Sequence, residues 1–230
     1  MKTVGIIGGL GPGTTAEFYL AIVSGFARRN VDRTPPIIIG SVSATHDVYQ
    51  DCILKNDCRF LPYLLKEAKR LEESGADFLV MPCNTLHRYM PEIKAAVKIP
   101  VLSIVEETLR YIKEHGFNKV GLIATMGTVK NKVYEDLLSQ NDIELLKPSD
   151  LAQQQLNKII VKLVDGMFLD SDRQVIMSTI DDMAKRNADA VALACTDLQL
   201  LLPESEEVHV FDTMRILAEA VVEYQLEGLS

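Results

Sequence analysis

Clustered positive charge is missing from this chain. Its 230 residues hold 24 Lys and Arg against 32 Asp and Glu, a formal net charge of -8, and no basic tract stands out. A general nucleic-acid binder needs grouped cations to meet phosphates, so the charge argues against that class. An anionic ligand would have to be held by local donors, because the overall field repels it. Long apolar runs are also absent, and none approaches a membrane span. The opening MKTVGIIGG carries an apolar stretch too short for a secretory signal. The chain is therefore expected to be cytoplasmic and to bind neither membrane nor nucleic acid. No C-x-x-C pair occurs among Cys52, Cys58, Cys83 and Cys195, which argues against a structural zinc site. In a reducing compartment all four are expected as thiols.

What is present is a regular alternation. Hydrophobic residues make up 47% of the chain, enough for a substantial core. Apolar runs predict strands over 3–7, 36–42, 76–81, 99–104, 119–124, 143–146, 188–194 and 208–211. Helical patterns predict helices over about 15–28, 60–74, 88–97 and 106–115, then one reaching Ser139, then 150–165, 171–186 and 213–226. Strands alternating with helices indicate an α/β fold with mainly parallel sheets. The uninterrupted apolar strands fit sheets covered by helices on both faces.

The two halves resemble each other. KTVGIIGGLGPGTT (2–15) lines up with NKVGLIATMGTVKN (118–131), and GADFLVMPCNT (75–85) with NADAVALACTD (187–197). The offset is a little over a hundred residues in both cases. This predicts a duplicated α/β unit with a pseudo-twofold relation, the carboxyl ends of the strands meeting at a shared cleft. Ligands of open α/β sheets bind at that end.

GGLGPGTT (8–15) links a strand to a helix. It does not meet the dinucleotide pattern G-x-G-x-x-G. It also fails as a P-loop, because Thr14 stands where lysine is required. A tight turn and a small-anion cradle of loop amides at Gly9, Leu10 and Gly11 both remain open. Its counterpart ATMGT (124–128) offers Thr125 and Thr128, as helix caps or as ligand donors.

A lone cysteine after an apolar strand is usually a buried, inert residue. Cys83 and Cys195 occupy matching places in both halves, each at the carboxyl end of a strand and ahead of a predicted helix. A helix N-terminus lowers a thiol pKa. A thiol on each face of one small molecule is what stereoinversion at an acidic carbon requires. One thiolate removes the proton, and the opposite thiol returns one to the other face. Asn84, Thr85, Thr196 and the loop amides could serve the charge that develops on a substrate carboxylate.

With these residues in view, the sequence resembles the aspartate/glutamate racemase family, which works without pyridoxal phosphate. The resemblance rests on GIIGGLGPGTTAEFY (5–19), MPCNTLH (81–87), GLIATMGT (121–128), ACTDLQLLLPE (194–204) and VFDT (210–213), and runs from Met1 to the C-terminal helix. It implies two α/β domains, residues 1–104 with 212–230 and residues 105–211, and a homodimer. It implies Cys83 and Cys195 as the acid/base pair, no cofactor, no metal and a small amino-acid substrate. The contacts it implies are Gly9, Leu10, Gly11, Asn84, Thr85, Thr125, Thr128, Thr196 and Asp197.

Two features depart from the family pattern. The usual G-C-T-E is A-C-T-D here, with Ala194 and a shorter carboxylate at Asp197. The loop SATHDVYQDC (43–52) carries no arginine or lysine to hold an acidic side chain, and the nearest cations are Lys55 and Arg59. The second-domain match for a lysine falls at Val164 or Asp165. Other small carboxylates therefore stay open as substrates, including hydantoins, maleate or a broader set of amino acids. So does a non-catalytic carboxylate binder. Decarboxylation of arylmalonates needs only one thiol and fits less well. His87 is expected at a helix start or on the surface, with a hydrogen bond near Cys83 as the alternative. His46 and Asp47 are expected in a solvated loop or at the mouth of the cleft. Phe18 and Tyr19 are expected in the core, and Cys52 and Cys58 are expected to be incidental.

Overall fold

The structure, a computed structural model, describes residues 1–44, 48, 51–52, 59–164, 167, 169–201 and 205–227. The chain folds as two compact units. One holds Met1–Thr45, Arg59–Thr108 and Met214–Ser230, and the other His46–Cys58 and Leu109–Thr213.

The first unit is built on three parallel strands, β1 (Val4–Gly8), β2 (Ile37–Ser41) and β3 (Phe78–Val80), in the order β2-β1-β3. β1 is buried at every residue, as expected for a central strand covered on both faces. Helices α1 (Pro12–Arg28), α2 (Leu61–Glu73) and α3 (Met90–Ala96) follow in turn. The run IPVLSI, expected as a strand, pairs at a single bridge, Leu79 with Val101. Pro100 has no N–H to give, and α4 (Ile104–Glu114) already begins at Ile104.

The second unit carries β4 (Lys119–Ala124), β5 (Glu144–Leu146), β6 (Ala190–Ala194) and β7 (His209–Asp212), all parallel, in the order β5-β4-β6-β7. Its helices are α5 (Met126–Lys130), α6 (Glu135–Ser139), α7 (Asp150–Val164) and α8 (Asp170–Lys185). The single helix expected after β4 is two short ones. α9 (Thr213–Leu226) returns the chain to the first unit, where Gln225 Nε2 donates to the carbonyls of Lys2 and Pro36.

The two sheets share one plan. The first strand of each unit lies between the second and third, and the bridge at Val101 stands where β7 stands in the other unit. Small details repeat as well. The helix preceding β3 ends in Gly75 at φ +92°, and the helix preceding β6 ends in Asn187 at φ +60°. Both occupy the left-handed terminal position that glycine and asparagine tolerate best. Asp77 then accepts the N–H of Thr3 at 2.6 Å, and Asp189 accepts those of Asn118 and Lys119 at 2.8 Å. Each aspartate thus pins the start of its neighbouring strand. Gly5 and Gly121 also match. A Cβ at Gly5 would lie 2.7 Å from Leu79 and 2.9 Å from Ala76, and one at Gly121 would lie 2.4 Å from Met183 Sδ. The Gly5 Cβ would also lie 3.3 Å from Leu71 of α2, so both glycines let a covering helix close on the strand. The core of the second unit gathers Ile123, Leu156, Ile160, Ile180, Met183 and Val191.

Candidate active site

In the first unit, β1 hands the chain to the glycine loop. The helix starts at Pro12, earlier than the expected Thr15, because proline's fixed φ suits the first helical position. Gly9 has φ +77° and Gly11 φ +142°, both in the region that favours glycine. A Cβ at Gly9 would also strike Ser41 Oγ at 2.6 Å and the Val42 backbone at 2.8 Å. The loop is not a row of bare amides. The N–H of Gly9 donates to Thr15 Oγ1 at 3.0 Å, and Thr15 Oγ1 donates to the Gly11 carbonyl at 3.1 Å. Leu10 is buried beside them.

β1 and β3 run in register through Ile6 and Val80. Three residues further along, the two chains reach Gly9 and Cys83, so the loop and the cysteine share one edge of the sheet. Cys83 is a partly exposed free thiol, whereas Asn84, Thr85 and His87 around it are buried. Thr85–Tyr89 forms a 3-10 turn, and α3 begins only at Met90. The helix expected over about 88–97 is present, but a 3-10 turn separates it from Cys83, which removes the argument from a helix N-terminus.

His87 is the residue the sequence undervalues. It is buried, not at the surface, and both ring nitrogens meet backbone. Nε2 accepts the Ile104 N–H at 3.1 Å, which leaves Nδ1 as the protonated nitrogen that donates to the Cys83 carbonyl at 2.7 Å. Burial lowers its pKa to about 4, against the bond to Cys83 and with a smaller contribution from the Lys94 ammonium. The ring is neutral at physiological pH. Its spacing of four residues from Cys83 was a signal. Its partner Ile104, remote in sequence, was not.

In the second unit, Ala124 pairs with Ala194, so the next residues, Thr125 and Cys195, stand level at the corresponding sheet edge. Thr125 is the N-cap of α5. Its Oγ1 accepts the Thr128 N–H at 3.1 Å and lies 3.1 Å from Thr128 Oγ1. This turn is braced from α7. Asn157 Oδ1 accepts the N–H of Met126, while Gln153 Nε2 donates to that oxygen and to the Ala124 carbonyl. Cys195 is a buried free thiol, with Sγ 3.9 Å from Asp197 Oδ2. The distance suits a thiol donating to the carboxylate. Thr196 and Asp197 are buried beside it. A 3-10 turn, Leu198–Leu201, follows, again in place of an α-helix.

Other expectations resolve individually. Phe18 is in the core, but Tyr19 is 40% exposed. Cys52 is disulfide-bonded, which overturns the expectation of four thiols. His46, Asp47, Lys55, Cys58 and Asp165 lie outside the described residues. Among the described residues no group of three or more His, Cys, Asp or Glu is placed to hold a metal, and no helix is long and apolar enough to cross a membrane.

The family model described as Asp/Glu/Hydantoin racemase matches residues 7–221. The chain is 29% identical over 224 residues to the broad specificity amino-acid racemase RacX of Bacillus subtilis, covering 95% of this chain and 96% of that one. Among solved structures it is similar to the aspartate racemase of Picrophilus torridus, with a TM-score of 0.79 and 27% identity over 98% of this chain and 94% of that one. An aspartate racemase homologue of Pyrococcus horikoshii has a TM-score of 0.78 and 26% identity, covering 99% of this chain and 100% of that one. The chain belongs to the Asp/Glu/hydantoin racemase family of enzymes.

Proposed function

We propose that the protein interconverts the L and D enantiomers of aspartate or glutamate without a cofactor, using Cys83 and Cys195 as paired acid and base. One observation carries the reading. In two sheets of the same plan, a free thiol follows the third strand, level with the loop that leaves the first. In the reaction, one cysteine enters as thiolate and takes the α-proton. The C–H electron pair passes into the carboxylate, which gains negative charge. The other cysteine, entering as thiol, gives its proton to the opposite face. The two sulfurs leave with protonation states exchanged, ready for the reverse enantiomer.

Donors around the carboxylate stabilise that charge more than they stabilise the substrate. Asn84, Thr85 and Thr196 stand next to the thiols in sequence and supply them. Asp197 orients the Cys195 proton. The glycine loop, with Gly9 tied to Thr15, shapes the site more than it donates to it. Thr125 and Thr128, which bond to each other, hold the equivalent turn. On this reading the enzyme works as the homodimer that the family resemblance implies.

A second reading concerns breadth. The segment 43–52 carries no arginine or lysine, and the Bacillus relative that matches 95% of this chain is named for broad specificity. That favours acceptance of neutral amino acids as well. The test is chiral chromatography of both enantiomers of aspartate, glutamate and a set of neutral amino acids, incubated with the protein in the absence of pyridoxal phosphate. Interconversion that disappears in both Cys83→Ala and Cys195→Ala supports the mechanism. Near-normal turnover in either variant refutes it, and inversion confined to neutral substrates replaces the acidic assignment with the broader one.

A further inference from the structure

We propose that His87 is a positioning residue for Cys83: its neutral ring ties the Cys83 carbonyl to the first residue of α4 and so sets where the thiol stands. The catalytic consequence rests on the racemase reading above, whereas the geometric claim does not.

The argument starts from the end of β3. That strand stops at Val80, and Cys83 lies beyond its ladder. Within the turn, the Cys83 N–H bonds to the Met81 carbonyl at 2.8 Å, a contact local to the turn. The imidazole joins the turn to α4. Its Nδ1–H reaches the Cys83 carbonyl from the same 3-10 turn, and its Nε2 takes the N–H of Ile104. Ile104 opens α4, and the first N–H groups of a helix have no partner within it. One side chain thus satisfies an orphan donor of α4 and an acceptor at the cysteine. Only a neutral ring with the proton on Nδ1 can do both, because a cationic ring would turn a second N–H against that of Ile104. The ring is 5% exposed and Ile104 is fully buried, so water does not readily replace either bond. A glutamine amide, which also offers one donor side and one acceptor side, is the conservative replacement. Leucine fills the space and makes neither bond.

The test uses the full chain and reads each cysteine separately. Wild type, His87→Gln and His87→Leu are alkylated with iodoacetamide between pH 6 and pH 10, and peptide mass spectrometry follows Cys83 and Cys195. In His87→Leu the Cys83 rate–pH profile should move by about half a unit or more, because the thiolate fraction follows the local surroundings. The Cys195 profile should stay in place. His87→Gln should return Cys83 to the wild-type profile. On the best substrate, His87→Leu should lose about tenfold or more in kcat with little change in KM, as expected when a reacting group is displaced. If His87→Leu does not fold, Ile104→Pro carries the test. Proline is tolerated at the first helical position and removes the donor to Nε2, with Ile104→Val as the control for the trimmed buried side chain, so the same Cys83 displacement is expected in the proline variant alone. An unchanged Cys83 profile, or equal shifts at both cysteines, overturns the proposal. If wild type turns over no amino acid, the racemase reading fails while the alkylation profiles still decide the role of His87.

Discussion

Acid should weaken the wild-type protein more steeply than a His87→Gln variant. The free imidazole titrates near 6.5, and burial holds His87 at about 4. Between those values the unfolded chain binds a proton that the folded chain refuses, so stability falls as pH falls. The contribution is fully present above pH 6.5 and lost progressively as pH approaches 4. One proton of difference gives a slope of about 1.4 kcal/mol per pH unit, and the loss by pH 4.5 is on the order of 2.5 kcal/mol. Against a typical domain stability of roughly 5–15 kcal/mol this is easily measured. The assay is urea unfolding of both proteins at pH 7.5, 6.5, 5.5 and 4.5. Carboxylates such as Glu135, Asp172 and Glu219, whose pKa values are lowered in the fold, also lose stability in acid. They are common to both proteins and cancel in the difference. The wild-type advantage should shrink from neutral to acid pH at that slope. A difference constant over the range would refute a neutral His87 accepting from Ile104.

Two substitutions test the packing. Gly5→Ala should destabilise by about 1–3 kcal/mol, the usual cost of overpacking, because the new methyl meets Ala76 and Leu79. Gly121→Ala should cost less, since its nearest neighbour is the flexible end of Met183. Equal losses by thermal denaturation would contradict the comparison. Thr125→Ala should cost about 1 kcal/mol through the lost cap on α5, and Thr125→Ser should restore it. A Thr125→Ala protein as stable as wild type would remove the cap from the account.

The parallel sheets were legible in the sequence because their strands are apolar runs buried on both faces, where composition alone decides. The duplication was legible for the same reason, together with the paired ends GADFLV and NADAVA. Other local signals misled, for reasons that differ from place to place. Thr15 reads as a helix start, yet its hydroxyl bonds back to Gly11 and Gly9, and Pro12 begins the helix. IPVLSI has strand composition, but Pro100 and the start of α4 reduce it to one bridge. Both cysteine motifs suggested a following α-helix, and each continues as a 3-10 turn. His87 shows the limit most clearly. Its neighbours in sequence suggest a surface or helix-start residue, yet it is buried and accepts from the N–H of Ile104, seventeen residues on.

The central claim is that two separate thiols handle the two faces of one carbon. Deuterium labelling at the start of the reaction tests it most directly. L-aspartate or L-glutamate, whichever turns over, is incubated in deuterated water, and both enantiomers are analysed before a tenth of the substrate has reacted. With two thiols, the D product takes deuterium from a sulfur already exchanged with solvent, while unreacted L substrate keeps its proton. The account predicts a fully labelled product and an unlabelled substrate. Protium retained in the product, or deuterium entering the substrate as fast as the product, would mean that a single base serves both faces, and would contradict it.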